Sequence, residues 1–117
     1  MGRDESVTNI LMCGVGGQGV ILASNVVSIA AMLAGFEVKK SEVHGMSQRG
    51  GSVVTHVRFG EAVNSPLISK GRADVMMVFE KLEALRYIDY MGEHGIAIVN
   101  DREMVPTTVS SGPYNYP

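Results

Sequence analysis

Tryptophan is absent and cysteine occurs once, as Cys13, in this chain of 117 residues. One cysteine cannot close an internal disulfide, and it cannot by itself assemble a zinc or iron–sulfur site. A reducing, cytoplasmic setting is the expectation that follows. Charge is sparse as well: 19% of the residues are charged and the formal net charge is -2. The basic excess that grips nucleic acid is therefore missing, and the pair Lys39-Lys40 is too small to supply it. Long apolar runs are also missing. The longest apolar-rich stretch, Val20–Leu33, is broken by Ser24, Asn25 and Ser28 and falls short of the ~20 residues of a membrane span. Met1–Thr8 carries charges of both signs and no apolar stretch, so it does not read as a secretory signal.

What is present is an ordinary globular composition, 45% hydrophobic, in a length that suits one domain with its own core. Val7–Cys13 is a β-favouring run that stops at glycine and reads as a first strand. Val20, Ala23, Val27, Ala30 and Ala34 then recur at helical spacing over Gly19–Ala34, and Gly35 stands where a carboxyl-terminal cap belongs. Phe36–Lys40 is a candidate second strand. Val53–Phe59 is a third, with Val53, Thr55, Val57 and Phe59 on one face and Val54, His56 and Arg58 on the other. Asp74–Phe79 reads as a strand covered on both faces. Leu82, Leu85, Ile88 and Met91 recur at threes and predict a second helix. Ile96–Val99 is a further short strand and reads as buried.

This alternation predicts an α/β fold, a Rossmann-like three-layer sandwich on a mainly parallel sheet. The second and third strands are the exception, because no helix is visible between them. The tail Thr107–Pro117 holds no closing element, so the sandwich is expected to be incomplete at its carboxyl terminus.

Two segments carry the chemistry. Gly14-Val15-Gly16-Gly17-Gln18-Gly19 matches G-x-G-x-x-G between a strand and a helix. There, glycines allow a tight turn, and free amides at the helix start can hold a phosphate or carboxylate. The competing reading is that the glycines only let the helix pack closely on the sheet. A full dinucleotide site is disfavoured, because Glu37 opens the second strand and Glu42 already belongs to the following loop. Gln18 can reach a ligand or cap the helix.

The second segment is the polar loop Glu42–Gly51, which sets His44, Ser47, Gln48 and Arg49 among glycines Gly45, Gly50 and Gly51. Arg49 offers a planar fork for a carboxylate or phosphate, and His44 can donate or exchange a proton near neutrality. The alternative is that both residues merely tether the loop or dock a neighbouring subunit. Cys13 reads as a small buried residue, and His56 as a half-buried strand histidine with a ligand role as the lesser alternative. Glu80 stands at the strand end where α/β folds place ligands, or serves as the charge at the start of the second helix, the reading slightly favoured. No spacing among His44, His56 and Glu80 supports a metal site.

Taken together, GVGGQG at 14–19, VKKSEVHGMSQRGGSVVTHVRFG at 38–60, SPLI at 65–68, ADVMMVFEKLEALRY at 73–87 and IVND at 98–101 closely resemble one family. It is the gamma-type subunit or domain of 2-oxoacid:acceptor (ferredoxin) oxidoreductases. HGMSQRGG is most similar to the form found in the beta subunit of indolepyruvate ferredoxin oxidoreductases. The resemblance covers nearly all of residues 7–117 and implies that residues 1–117 form one partial catalytic domain of the pyruvate/ketoisovalerate oxidoreductase gamma type. It implies an accessory subunit that completes the site for oxidative decarboxylation of an aryl-2-oxoacid to an acyl-coenzyme A. The isolated chain would be inactive. Thiamine diphosphate and iron–sulfur clusters would sit on a partner alpha subunit, ferredoxin would be reached through the complex, and coenzyme A would be a substrate. By position, Gly14, Gly16, Gly17, Gln18, Gly19, Ser47, Arg49 and Gly50 are the residues carried over as facing the shared site. His44 and Arg49 would position a substrate or partner.

Two other readings stand beside it. One is a stand-alone nucleotide- or coenzyme A-binding module, and the other is a structural scaffold whose loop docks a partner.

Overall fold

The computed structural model describes residues 7–15, 18–44 and 52–100. In chain order the elements are β1 (Val7–Val15), α1 (Gln18–Leu33), β2 (Glu37–His44), β3 (Ser52–Gly60), β4 (Ala73–Val78), α2 (Lys81–Arg86), a 3-10 turn (Ile88–Tyr90) and β5 (Met91–Val99). The strands form one five-stranded sheet in the order β2-β3-β1-β4-β5.

The fold is α/β, but the sheet is mixed. β1 pairs in parallel with β4, and β4 with β5. β3 runs antiparallel to both of its neighbours, β1 and β2. The expectation of a mainly parallel sheet therefore holds only on one side of β1. Seven residues separate His44 from Ser52, too few for the crossover that parallel neighbours require. β3 accordingly turns back from β2 and lies between it and β1.

β1 is the central strand and is buried along nearly its whole length. Ile10 and Met12 join Val20, Val53 and Val57 on the α1 face. Leu11 and Cys13 join Val54, Ile68, Ala73, Met76 and Val78 on the opposite face, where α2 and the segment 61–72 lie. The period-2 alternation expected for β3 appears as this division between two cores.

Helix α1 ends as its sequence dictates. Gly35 takes φ +93, its N–H donates to the Met32 carbonyl, and the Phe36 N–H donates to that of Ala31, both at 3.0 Å. These two bonds close the last turn around a left-handed residue that glycine adopts without steric cost.

Two elements depart from their sequence signatures. β2 runs on through Glu42, Val43 and His44, which pair with Thr55, Val54 and Val53. Ladder pairing along β3 draws Glu42 and His44 into the strand despite their modest strand preference, with Val43 between them a good strand former. The second helix stops at Arg86, and Ile88–Tyr90 forms the 3-10 turn, with Met91 opening β5. A strict spacing of three fits 3-10 geometry better than the 3.6-residue α-helix.

Polar side chains fasten the segment 61–72 at the edge remote from the glycine-rich turn. The Arg58 Nε–H donates to Asn9 Oδ1 at 2.8 Å and its Nη1 to the Ser65 carbonyl at 2.8 Å. Asn9 Nδ2 donates to the Arg72 carbonyl at 3.0 Å, and the Val63 N–H donates to Glu37 Oε1 at 2.7 Å. Glu37 thus has a structural task far from any ligand at the glycine-rich turn. His56 is buried, and its Nδ1 accepts the Ile68 N–H at 3.0 Å. Burial lowers its pKa, so it is a neutral core histidine.

Candidate functional site

Four strand ends and one strand start meet at a single edge of the sheet. β1, β2, β4 and β5 finish there at Val15, His44, Val78 and Val99, and β3 begins there at Ser52. Register places the two glycine-bearing segments side by side. Gly14 pairs with Val53, and Val53 pairs on its other side with His44. The backbones of Gly14 and His44 are thus two strand spacings apart, about 10 Å. In open α/β sheets the carboxyl edge is where ligands bind.

Helix α1 starts at this edge with Gln18, and no acidic residue stands in its first turn. Its positive dipole end thus has no carboxylate from its own first turn. Gly14 has a definite packing reason to be glycine. A Cβ there would lie 2.8 Å from Val20 Cγ2 and 3.0 Å from Phe79 Cβ. Gly19 has room, since its Cβ would meet the Phe79 ring at 3.4 Å. Phe79 is a wedge between the end of β1 and the start of α1, set in place by its N–H donating to the Cys13 carbonyl at 2.8 Å.

On the other face a polar cluster sits under α2. Glu80 precedes the helix, and its Oε1 accepts the Glu83 N–H at 3.3 Å, which is amino-terminal capping. Glu83 is 3% exposed. Its Oε2 receives the Arg86 Nε–H side at 3.3 Å, and Oε1 is buried without a hydrogen-bond partner. Burial raises the Glu83 pKa and Glu80 adds to the rise, while Arg86 and a hydrogen bond from Ser52 oppose it. Ser52 Oγ also lies 3.3 Å from the Tyr87 hydroxyl. The first residue of β3 is in this way tied to Glu83 of α2 and to Tyr87 just after the helix. Cys13 lies in the same region, its thiol pushed up to about 12 by burial and then by the charge of Glu83. It is an inert, protonated thiol.

Among the described residues no group of His, Cys, Asp and Glu is arranged to hold a metal ion, and no helix is long and apolar enough to cross a membrane. The family model for pyruvate ferredoxin/flavodoxin oxidoreductase matches residues 9–115. The chain belongs to this family.

Indolepyruvate oxidoreductase subunit IorB of Thermococcus kodakarensis is 50% identical over 109 residues, which are 93% of this chain and 54% of that protein. The chain spans about half the length of the curated relatives it matches. Among solved structures, pyruvate oxidoreductase subunit PORC of Thermotoga maritima superposes with a TM-score of 0.65 at 24% identity, covering 95% of this chain and 59% of that one. The 2-oxoglutarate:ferredoxin oxidoreductase of Magnetococcus marinus gives a TM-score of 0.69 at 18% identity, covering 97% of this chain and 18% of that one. At such identities these two likenesses establish the shared fold.

Within this oxidoreductase fold, the residues singled out in the sequence divide into three groups. Gly14 closes β1 one residue short of its end, and Gly19 lies in the first turn of α1. Gln18 and His44 are placed by their backbones, at the first residue of α1 and the last of β2. Gly16, Gly17, Ser47, Arg49 and Gly50 lie outside the described residues. Glu83, Ser52 and Tyr87 carry no motif in the sequence. Glu83 sits where a short charged helix, KLEALR, reads as solvated. Only the chain fold, which sets Ser52 against α2, reveals that it is buried.

Proposed function

We propose that this chain forms part of the accessory subunit of a 2-oxoacid:ferredoxin oxidoreductase acting on indolepyruvate or a related aryl-2-oxoacid. Its sheet edge would complete the site at which a cytoplasmic partner subunit carries out oxidative decarboxylation to the acyl-coenzyme A. The observation that carries this reading is the register Gly14–Val53–His44, which roots the glycine-rich turn and the polar loop on one edge. The family and the names of its curated relatives supply the reaction class.

The chain's own residues suit positioning. Its single cysteine is buried, so it has no donor set for an iron–sulfur cluster. Cluster and thiamine diphosphate chemistry are assigned to the partner. The amides at the start of α1, with Arg49 and Ser47, would hold an anionic group, a 2-oxoacid carboxylate or a coenzyme A phosphate. His44 would orient that group.

The test is Arg49→Ala in the reconstituted complex with saturating partner. Loss of a charge-assisted hydrogen bond is expected to raise KM for the anionic substrate by roughly 10- to 100-fold, with a smaller change in kcat. Unchanged kinetics with weakened assembly would instead make the loop a docking element. Turnover by the purified chain without its partner would overturn the accessory role.

The packing around Gly14 favours a second reading for that one residue. Val20 and Phe79 account for the missing side chain, so Gly14 can serve the scaffold without touching a ligand.

A further inference from the structure

Ser52 stands where both glycine-bearing segments leave the sheet. It opens β3 directly after the polar loop, and its backbone pairs with Val15, the last residue of β1 before the glycine-rich turn. A shift of Ser52 therefore moves the root of the loop relative to the root of the turn. The alternation of β3 turns its side chain to the α2 face, with Val54. There Glu83 accepts a hydrogen bond from it, and the Tyr87 hydroxyl lies 3.3 Å from its Oγ. Serine has one proton to give. With that proton on the Glu83 side, the Ser52 oxygen accepts from Tyr87, and both capacities of the hydroxyl are used.

Glu83 is costly where it stands. It is 3% exposed, beside Glu80 at 2%, and its Oε1 is buried without a partner. A buried carboxyl oxygen that lacks a donor destabilises a fold, and an apolar side chain of similar volume avoids the cost. Helix α2 does not need the acid. Its amino-terminal cap comes from Glu80, whose Oε1 accepts the Glu83 N–H at 3.3 Å. The Arg86 side chain is 59% exposed in its pairing with Glu83, so solvent weakens that attraction. What is left for Glu83, and what an apolar residue could not do, is to hold the Ser52 hydroxyl. Local rules are broken in this way where function requires it.

We infer that Glu83 is a positioning residue for the sheet-edge site, fixing through Ser52 the root of the polar loop against the root of the glycine-rich turn. This rests on the edge completing the partner's site, as proposed above. Glu83 acts through Ser52 and not on the substrate. Its loss loosens placement, and a misplacement of ~1 Å costs up to ~100-fold in rate.

Two measurements test this. In the first, the full-length chain is digested briefly with trypsin, and cleavage after Arg49 is compared with cleavage after the exposed Lys70 of the segment 61–72. Glu83→Leu and Ser52→Ala are expected to raise the ratio of the two by ~3-fold or more. Glu83→Gln keeps an oxygen for the Ser52 hydroxyl and stays within ~2-fold of wild type. General loosening, which raises both cleavages together, overturns the inference. The second measurement uses the reconstituted complex with saturating partner. Glu83→Leu and Ser52→Ala should each raise KM for the 2-oxoacid ~3- to 10-fold with kcat within ~2-fold. The double variant should be no worse than the worse single, since both break one contact. Effects that multiply, or a Glu83→Gln as disruptive as Glu83→Leu, overturn the inference. Ser52→Ala carries the test alone should Glu83→Leu fail to fold. Arg49→Ala run alongside separates the two readings. If it raises KM while the Glu83 and Ser52 variants do not, the edge reading stands and the positioning role is wrong. If none of the three alters KM, the edge reading fails and takes the positioning role with it.

Discussion

Single side chains decide more at this sheet edge than the motif alone suggests. Gly14 is pinned by Val20 and Phe79, so Gly14→Ala forces either the helix or the wedge to give way. Overpacking of this kind costs about 1–3 kcal/mol. It is expected as a lower urea midpoint with an unchanged m-value. Titratable groups are held in opposite senses. Burial lowers the pKa of His56 from 6.5. The unfolded chain therefore takes up protons first, and stability present above 6.5 is lost as pH falls toward the folded value. Glu83 is raised from 4.5, so its contribution is whole below 4.5 and is lost as pH rises through the folded value. Glu83→Gln removes that second slope, and thermal unfolding across pH should give a Tm that declines less above 4.5 than in wild type. An identical pH profile for both proteins would show that Glu83 is unperturbed.

Elements differ in how openly their sequences announce them. α1 was legible because its apolar rhythm and the Gly35 cap agree with each other. β3 was legible because its two faces alternate cleanly. The carboxyl half of β2 was not, since Glu42, Val43 and His44 look like loop until a partner strand pairs with them. The length of α2 was not legible either, because residues recurring at threes satisfy both helix types. The most informative tie between elements, from Ser52 to Tyr87 and Glu83, joins positions 31 and more residues apart and leaves no local trace. Its contribution can be isolated. Tyr87→Phe deletes one hydroxyl and is expected to destabilise by about 0.5–1.5 kcal/mol. Faster amide hydrogen exchange at the start of β3 than at its end would locate that loss at the loop's root, and uniform exchange would place it elsewhere.

At the level of the whole molecule, the α/β class and the importance of one sheet edge could be read from the order of strands, turn and helix. The strand order could not. Nothing in the sequence says that β3 belongs between its predecessor β2 and the earlier β1, because that choice rests on ladder pairing along two strands at once. Likewise, the helical rhythm of α1 does not tell that Leu22, Val26, Ile29 and Leu33 are exposed among the described residues. The inserted position of β3 has a kinetic consequence. β2 and β3 form a hairpin whose paired residues lie 9 to 23 positions apart, whereas β1 and β3 pair across 37 to 53. The hairpin closes locally, and its docking on β1 is the slower closure. Gly14 and His44 are therefore brought two strands apart only when that hairpin docks, so the edge is assembled by the longest-range pairing of β3.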